Sequence, residues 1–325
     1  MRLPNYWCLL ILLPVVAACA ERPARANEAE TVAQAVVVPT ATPTRTALST
    51  WTLPPTRIIT ATPAPSLIPA MTPTPTPAPC AETQGRVISA TIPSETLNYA
   101  INARIYLPPC YGAVANIRYP VLYLIHGLSF KEDQWERLGI ATAADDLITA
   151  GEIAPLIMVL PRERKDDRWD AAFIADLVPY IDSTYITLAD RPHRAIGGLS
   201  RGGGWAVHIG LQYPEMFGRV GAHSPAIFFG DEHDIVQWTW RTPDEVKPIV
   251  YIDIGENDAN PQSAAWLAQV LTYSDIDHTY LVQAGGHSEK YWAAHLADYL
   301  RFYAADWRGT LIPTPTPDPE QENIR

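Results

Sequence analysis

The run Gly198-Leu199-Ser200-Arg201-Gly202 constrains this chain more than any other. A short apolar lead-in, Arg194-Ala195-Ile196, precedes it, and Gly203-Gly204-Trp205-Ala206-Val207-His208-Ile209 continues it as the start of a helix. A strand that turns over a serine directly into a helix forces that serine into a strained backbone conformation, so its neighbours must lack bulky side chains. Glycines at 198 and 202 leave that room. The amide of Arg201 then faces the same space as the serine hydroxyl.

The surrounding pattern places this turn in an α/β architecture. Arg86–Ile92 and Asn98–Leu107 alternate as two strands around a turn at Pro93-Ser94-Glu95-Thr96. Pro120–Ile125 and Pro155–Leu160 are continuous apolar runs, as expected of strands buried on both faces. Helical stretches are predicted at Lys131–Leu138 and Ala141–Ala150, and at Ala171–Ser183, where Phe173, Ile174, Leu177, Val178 and Ile181 recur at helical spacing. After the Gly203–Tyr213 helix come strands at Arg219–Ala222, Lys247–Ile254 and His278–Gln283, a helix at Ser263–Tyr273, and one long terminal helix from Glu289 to Trp307. The order predicts a mainly parallel sheet with helices on both faces and an antiparallel hairpin at its edge.

Composition confines that fold to part of the 325 residues. Residues 1–18 have the form of a signal peptide, with Arg2 ahead of an apolar run ending Val16-Ala17-Ala18-Cys19. A small-residue run closing on cysteine resembles the lipobox of bacterial lipoproteins, which implies acylation of Cys19, export, and a membrane anchor at the cell surface or envelope. Residues 19–79 form a Pro/Thr-rich linker, with twelve prolines and the repeat Thr72-Pro73-Thr74-Pro75-Thr76-Pro77. Such a segment buries too little apolar surface to order itself. The tail, 309–325, repeats the theme with Thr314-Pro315-Thr316-Pro317. The folded domain is therefore expected over 80–308.

That domain carries 29 acidic and 18 basic residues, the whole of the chain's net charge of −11. An acidic balance argues against nucleic acid and strongly anionic polymers as partners. Cys80 and Cys110 remain in a compartment where disulfides persist. A hairpin centred on Glu95 pairs residues whose numbers sum to 190, which brings these two cysteines face to face. No C-x-x-C or histidine cluster suggests a metal, and no cofactor is expected.

A serine on such a turn needs a base and an orienting acid, following in the order Ser, Asp/Glu, His. His287 lies in Gly285-Gly286-His287-Ser288, just after the last strand, where two glycines allow close approach to Ser200. His223, ending a strand nearby, is its competitor. Asp258 falls in the loop Gly255-Glu256-Asn257-Asp258 after the preceding strand, with Glu256 as fallback and Asp253 inside the strand as a structural residue. An oxyanion hole needs two backbone N–H donors. Arg201 supplies one, and Ile125-His126-Gly127-Leu128 points to the amide of Leu128 as the other.

Together these pieces resemble the esterase D / putative esterase family of α/β-hydrolases, which includes feruloyl and acetyl-xylan esterase domains, siderophore esterases and mycolyltransferases. The matching residues are Tyr119–Gly127, Ala195–Ser200, Gly255–Asp258, and Gln283–His287 followed by Tyr291-Trp292. The resemblance implies an α/β-hydrolase fold, a triad of Ser200, Asp258 and His287, and oxyanion amides at Leu128 and Arg201. The family usually has methionine after the nucleophile. Arg201 either binds an acidic group of the substrate or pairs with a nearby carboxylate.

The expected substrate is a small-molecule or saccharide ester. Ala226–Val246, with Phe228, Phe229, Trp238 and Trp240, is a candidate lid or aromatic rim, and Trp135 and Trp169 are expected in loops on the same side. Hydrolysis, acyl transfer to an alcohol, and a catalytically silent binding module are the readings left open, as is the oligomeric state.

Overall fold

Eight strands form one sheet in the order β1-β2-β4-β3-β5-β6-β7-β8 in the computed structural model, which describes residues 80–113 and 117–308. The strands are β1 (Arg86–Ile92), β2 (Ile101–Leu107), β3 (Val121–Ile125), β4 (Ile157–Pro161), β5 (Arg194–Leu199), β6 (Arg219–His223), β7 (Ile249–Gly255) and β8 (His278–Gln283). The pairs β1·β2 and β2·β4 are antiparallel and all others parallel. The expected signal, Cys19, linker and tail lie outside the described residues.

The five residues of β3 and the five of β4 are all buried, because helices cover both faces. Alternate β3 residues serve opposite layers. Val121, Tyr123 and Ile125 pack with α3 (Trp169–Ala172), α4 (Val178–Thr184), α5 (Arg201–Gln212), α6 (Asp231–Arg241) and α7 (Pro261–Tyr273). Leu122 and Leu124 pack with α1 (Gln134–Leu138), α2 (Ile140–Thr149), α8 (Glu289–Ala294) and α9 (Leu296–Tyr303). The chain runs from β3 to β4 on one side, then returns past β3 to β5 and continues outward. The reversal leaves a crevice between the carboxyl ends of β3 and β5, where α/β sheets bind ligands.

Three expectations of detail are corrected. The hairpin ladder pairs Arg86 with Leu107 and Ile92 with Ile101, so partners sum to 193 rather than 190. The connection is longer than a tight turn. Asp176 anchors it by accepting from Ser94 Oγ (2.6 Å) and the Thr96 amide (3.2 Å), and Asn98 adopts a left-handed φ of 61°. Cys80 and Cys110 lie beyond the ladder's open end, joined sulfur to sulfur with Cα atoms 5.8 Å apart. The predicted helix over 171–183 carries a π-helical turn at Phe173–Leu177. Pro179 follows one residue later, in the first turn of α4, and its ring and missing N–H disfavour regular α geometry in the turn before it. The predicted long terminal helix breaks at His295 into α8 and α9. The break lets Tyr291 on one half and Tyr299 on the other reach a single buried carboxylate, that of Asp253.

Candidate active site

Ser200 sits between β5 and α5 with φ 54° and ψ −119°, a left-handed conformation strained for a non-glycine residue. The crowding explains the flanking glycines. A Cβ at Gly198 would collide with the carbonyl of Gly202, and a Cβ at Gly202 with the carbonyl of Ile125. The strain is held by the Ser200 amide donating to His223 O (2.8 Å), and by the Ser200 carbonyl accepting from Gly204 N (3.0 Å) and Ala226 N (3.1 Å).

The loops after β7 and β8 are tied to each other. Asn257 N donates to Gly285 O (2.8 Å) and Glu256 N to Gln283 O (2.7 Å). This brings together two side chains 29 residues apart. His287 Nδ1 lies 2.9 Å from Asp258 Oδ2 and 3.1 Å from Oδ1. His287 Nε2 lies 2.8 Å from Ser200 Oγ. The arrangement fits one tautomer: Nδ1–H donates to the carboxylate, and Nε2 accepts from the serine hydroxyl. The Asp258 side chain is fully buried, while that of His287 is 29 % exposed. Asp258 Oδ1 also accepts from Asn260 N (3.1 Å), and the imidazole lies edge-on to Trp292 with ring centroids 5.1 Å apart. The cleft above Ser200 has a volume of about 460 Å³ and is walled by Leu128, Phe130, His287 and Trp292.

Leu128 lines this cleft from the loop after β3. Arg201 is the first residue of α5, so its amide belongs to the helix N-terminal donors that lack an intrahelical acceptor. Sequence reasoning missed the polar groups that brace these two amides. Gln134, completely buried, accepts from Gly127 N (2.8 Å) and donates to Glu289 Oε1 (3.1 Å). His126 Nδ1–H donates to Gly127 O (2.8 Å), and its Nε2 accepts from Glu163 N (3.0 Å). Burial lowers the His126 pKa, and only the neutral ring can accept that amide. Glu163 lies two residues past the end of β4, at a strand carboxyl end, which was the available signal.

Two substrate-binding expectations are corrected. Arg201 does not offer its charge to the cleft. Its Nε and Nη2 hold the Glu163 carboxylate at 2.9 and 3.2 Å, and its guanidinium lies over Phe228 at 5.0 Å and Trp205 at 5.7 Å. Trp135 is buried, with its indole N–H donating to Ile125 O (3.1 Å), so it touches the core rather than a ligand. Trp169 is buried likewise. Of the 226–246 segment, Phe229 and Trp240 are exposed, Phe228 and Trp238 pack inward, and none lines the cleft above Ser200. Among the described residues the one cluster of potential metal ligands is Cys80, Glu82 and Cys110, and its two sulfurs are already bonded to each other.

The sheet order, the strand–serine–helix turn and the loops at the strand carboxyl ends define an α/β-hydrolase. The chain belongs to the Putative esterase family, which it matches over residues 94–303. It is 31% identical over 217 residues to an endo-1,4-beta-xylanase/feruloyl esterase of Xylanibacter ruminicola, covering 62% of this chain and 29% of that protein. It is 32% identical over 136 residues to Esterase Rv1288 of Mycobacterium tuberculosis, covering 37% of this chain and 28% of that one. The chain thus spans under a third of the length of these relatives. Among solved structures, a ferulic acid esterase superposes with a TM-score of 0.62 at 26% identity, covering 69% of this chain and 99% of that one. The feruloyl esterase module of Clostridium thermocellum shares the fold, with a TM-score of 0.60 at 20% identity, over 71% of this chain and 90% of that one. Family and fold support an esterase-type hydrolytic activity.

Proposed function

We propose that this chain is a serine carboxylic-ester hydrolase working through an acyl-enzyme. The observation that carries the reading is the unbroken relay from Ser200 Oγ through His287 to the buried Asp258 carboxylate. His287 Nε2 takes the Ser200 proton as Oγ attacks the ester carbonyl, and returns it to the leaving alcohol. Water then attacks the acyl-serine with the same imidazole as base. Asp258 keeps Nδ1 protonated and balances the imidazolium that forms. The amides of Leu128 and Arg201 take the charge that develops on the carbonyl oxygen. Glu163 and Gln134 make no hydrogen bond to Ser200. They position the two loops that carry those amides.

A fluorophosphonate probe tests the reading directly. The full chain should be labelled at Ser200, and Ser200→Ala should lose labelling and lower kcat on simple aryl esters by roughly 10⁵-fold with its melting temperature unchanged. A folded wild-type protein that resists the probe and turns over no ester would instead be a binding module. We further infer that Cys19 is acylated and that the linker holds the enzyme clear of a membrane. Mass spectrometry of the mature N-terminus distinguishes an acylated Cys19 from an N-terminus without lipid.

A further inference from the structure

A second cleft, of about 400 Å³, adjoins the first across Gly127, Leu128 and Phe130, which line both. Its chemistry runs against the rest of the molecule. Four cationic side chains, Lys131, Arg162, Arg164 and Lys165, line it in a chain whose net charge is −11. The one acid in its lining, Glu163, is committed to Arg201. Of the nearby acids, Glu132 lies 3.8 Å from Arg162 and Asp166 pairs with Arg168 at 3.2 Å, which leaves the exposed Asp167 as the one acid beside the cleft without an ion pair among the described residues. Among the described residues Lys131, Arg164 and Lys165 have no carboxylate within ion-pair distance, and Arg164 lies over the Tyr99 ring at 5.2 Å. All three are exposed at the mouth. Between the clefts stand Leu128 and Phe130, 49 % and 41 % exposed, an apolar saddle beside the Leu128 amide.

We propose that this second cleft selects the substrate: the preferred ester has an apolar middle that crosses the Leu128–Phe130 saddle and a far end that carries a negative charge. This rests on the serine-esterase reading and names the substrate class of that same site. A concave cleft lined mainly by one sign of charge concentrates the opposite charge and strengthens its capture. The overall acidity of the protein repels anions elsewhere, so the attraction is confined to the cleft beside Ser200. The charge lies on either the acyl or the alcohol portion, and matched esters separate the two.

The full chain is assayed at low ionic strength on two pairs of esters. In the first, para-nitrophenyl pentanoate is set against the mono-para-nitrophenyl ester of glutaric acid, which places the charge on the acyl side. In the second, naphthyl acetate is set against its ring-sulfonated counterpart, which places it on the alcohol side. In one pair kcat/KM for the anionic member should exceed that of the neutral one by about ten-fold, through KM, and the advantage should fade as salt rises. In the double variant Lys131→Ala/Lys165→Ala the anionic ester's KM should rise until the advantage is gone, while Lys131→Arg/Lys165→Arg retains it. Equal kcat/KM within both pairs overturns the proposal, as does a preference that survives the double alanine variant. If Ser200 is labelled by fluorophosphonate and the neutral esters turn over without such a preference, only this inference falls. If no ester turns over and no label is taken up, the esterase reading falls with it.

Discussion

Two histidine–aspartate pairs lie close together at the carboxyl ends of adjacent strands, and only one of the two faces a serine hydroxyl. His223 ends β6 directly opposite Asp253 of β7, and the two side chains meet at 2.7 Å. His287 meets Asp258 at 2.9 Å in the loops just beyond. The ring-to-carboxylate contacts are nearly the same. The difference lies at the other ring nitrogen and in access to water. His287 Nε2 points at Ser200 from a partly exposed position. His223 Nε2 meets the Tyr303 hydroxyl at 2.9 Å, its ring stacks on Tyr299 at 3.6 Å, and neither His223 nor Asp253 is exposed to solvent. Asp253 also accepts the hydroxyls of Tyr291 and Tyr299 at 2.7 and 2.8 Å. A histidine–aspartate pair is thus not a catalytic unit in itself. One pair is set against a serine hydroxyl, and the other binds α8 and α9 to the sheet.

Altering the pair beside Ser200 tests that division most strongly. His287→Ala should cost about 10⁴- to 10⁶-fold in kcat and barely move the melting temperature, because the ring stands at the surface of the cleft. Asp258→Asn should cost about 10⁴-fold, since an amide no longer holds the productive tautomer. Steady-state kinetics beside thermal melts check both, and a large fall in stability with retained kcat for either would erase the distinction.

The buried pair should answer in the opposite coordinate. Asp253→Asn puts an amide N–H₂ where three donors converge, and should cost roughly 3–5 kcal/mol of stability. Burial, reinforced by the Asp253 charge, raises the Tyr291 and Tyr299 pKa values well above the ordinary phenol value, so both remain donors. Tyr303→Phe should cost less, about 1–3 kcal/mol, by leaving His223 Nε2 without its partner and opening a small void over Gly197 and Gly221. Those two strand glycines make room for the Tyr303 ring, since a Cβ on either would collide with it. Urea titrations give both values, and kcat per folded molecule should stay within a few-fold of wild type.

The sheet was legible because central strands such as Val121–Ile125 are unbroken apolar runs and the first two strands alternate, and the serine turn because Gly198 and Gly202 mark a steric demand. Side chains on loops after consecutive strands were legible too, since topology alone brings those loops together. Gln134 and Glu163 were not. Each acts through a partner 7 or 38 residues away, Gly127 for Gln134 and Arg201 for Glu163, and no spacing in one chain announces such a contact. Trp135 shows the converse failure. A tryptophan after a strand reads equally as a binding surface or as core, and here its N–H found a buried carbonyl.

A third histidine completes the comparison, because carboxylates face both its nitrogens. His208 Nδ1 lies 2.8 Å from Asp231, at the start of α6, and its Nε2 3.8 Å from Asp170 on α3. The ring is otherwise enclosed by Trp205 and Trp238, at 5.3 and 4.9 Å. Burial favours the neutral ring, but the two aspartates outweigh it and push the pKa up to about 9. A serine opposite the second nitrogen places the ring to act as a base, a tyrosine locks it as a structural joint, and a second carboxylate favours the cation. The folded state holds this proton more tightly than the unfolded chain, whose histidine titrates near its ordinary value of about 6.5. The contribution to stability is therefore complete below pH ~6.5 and is lost as pH rises through about 9. Its size should be on the order of 3 kcal/mol, and losing it should loosen α6 from α3 and α5 rather than disturb the serine relay. Melting temperatures of wild type and His208→Gln measured from pH 6 to 10 should converge as the pH climbs, and parallel curves would show that the ring carries no charge in the fold.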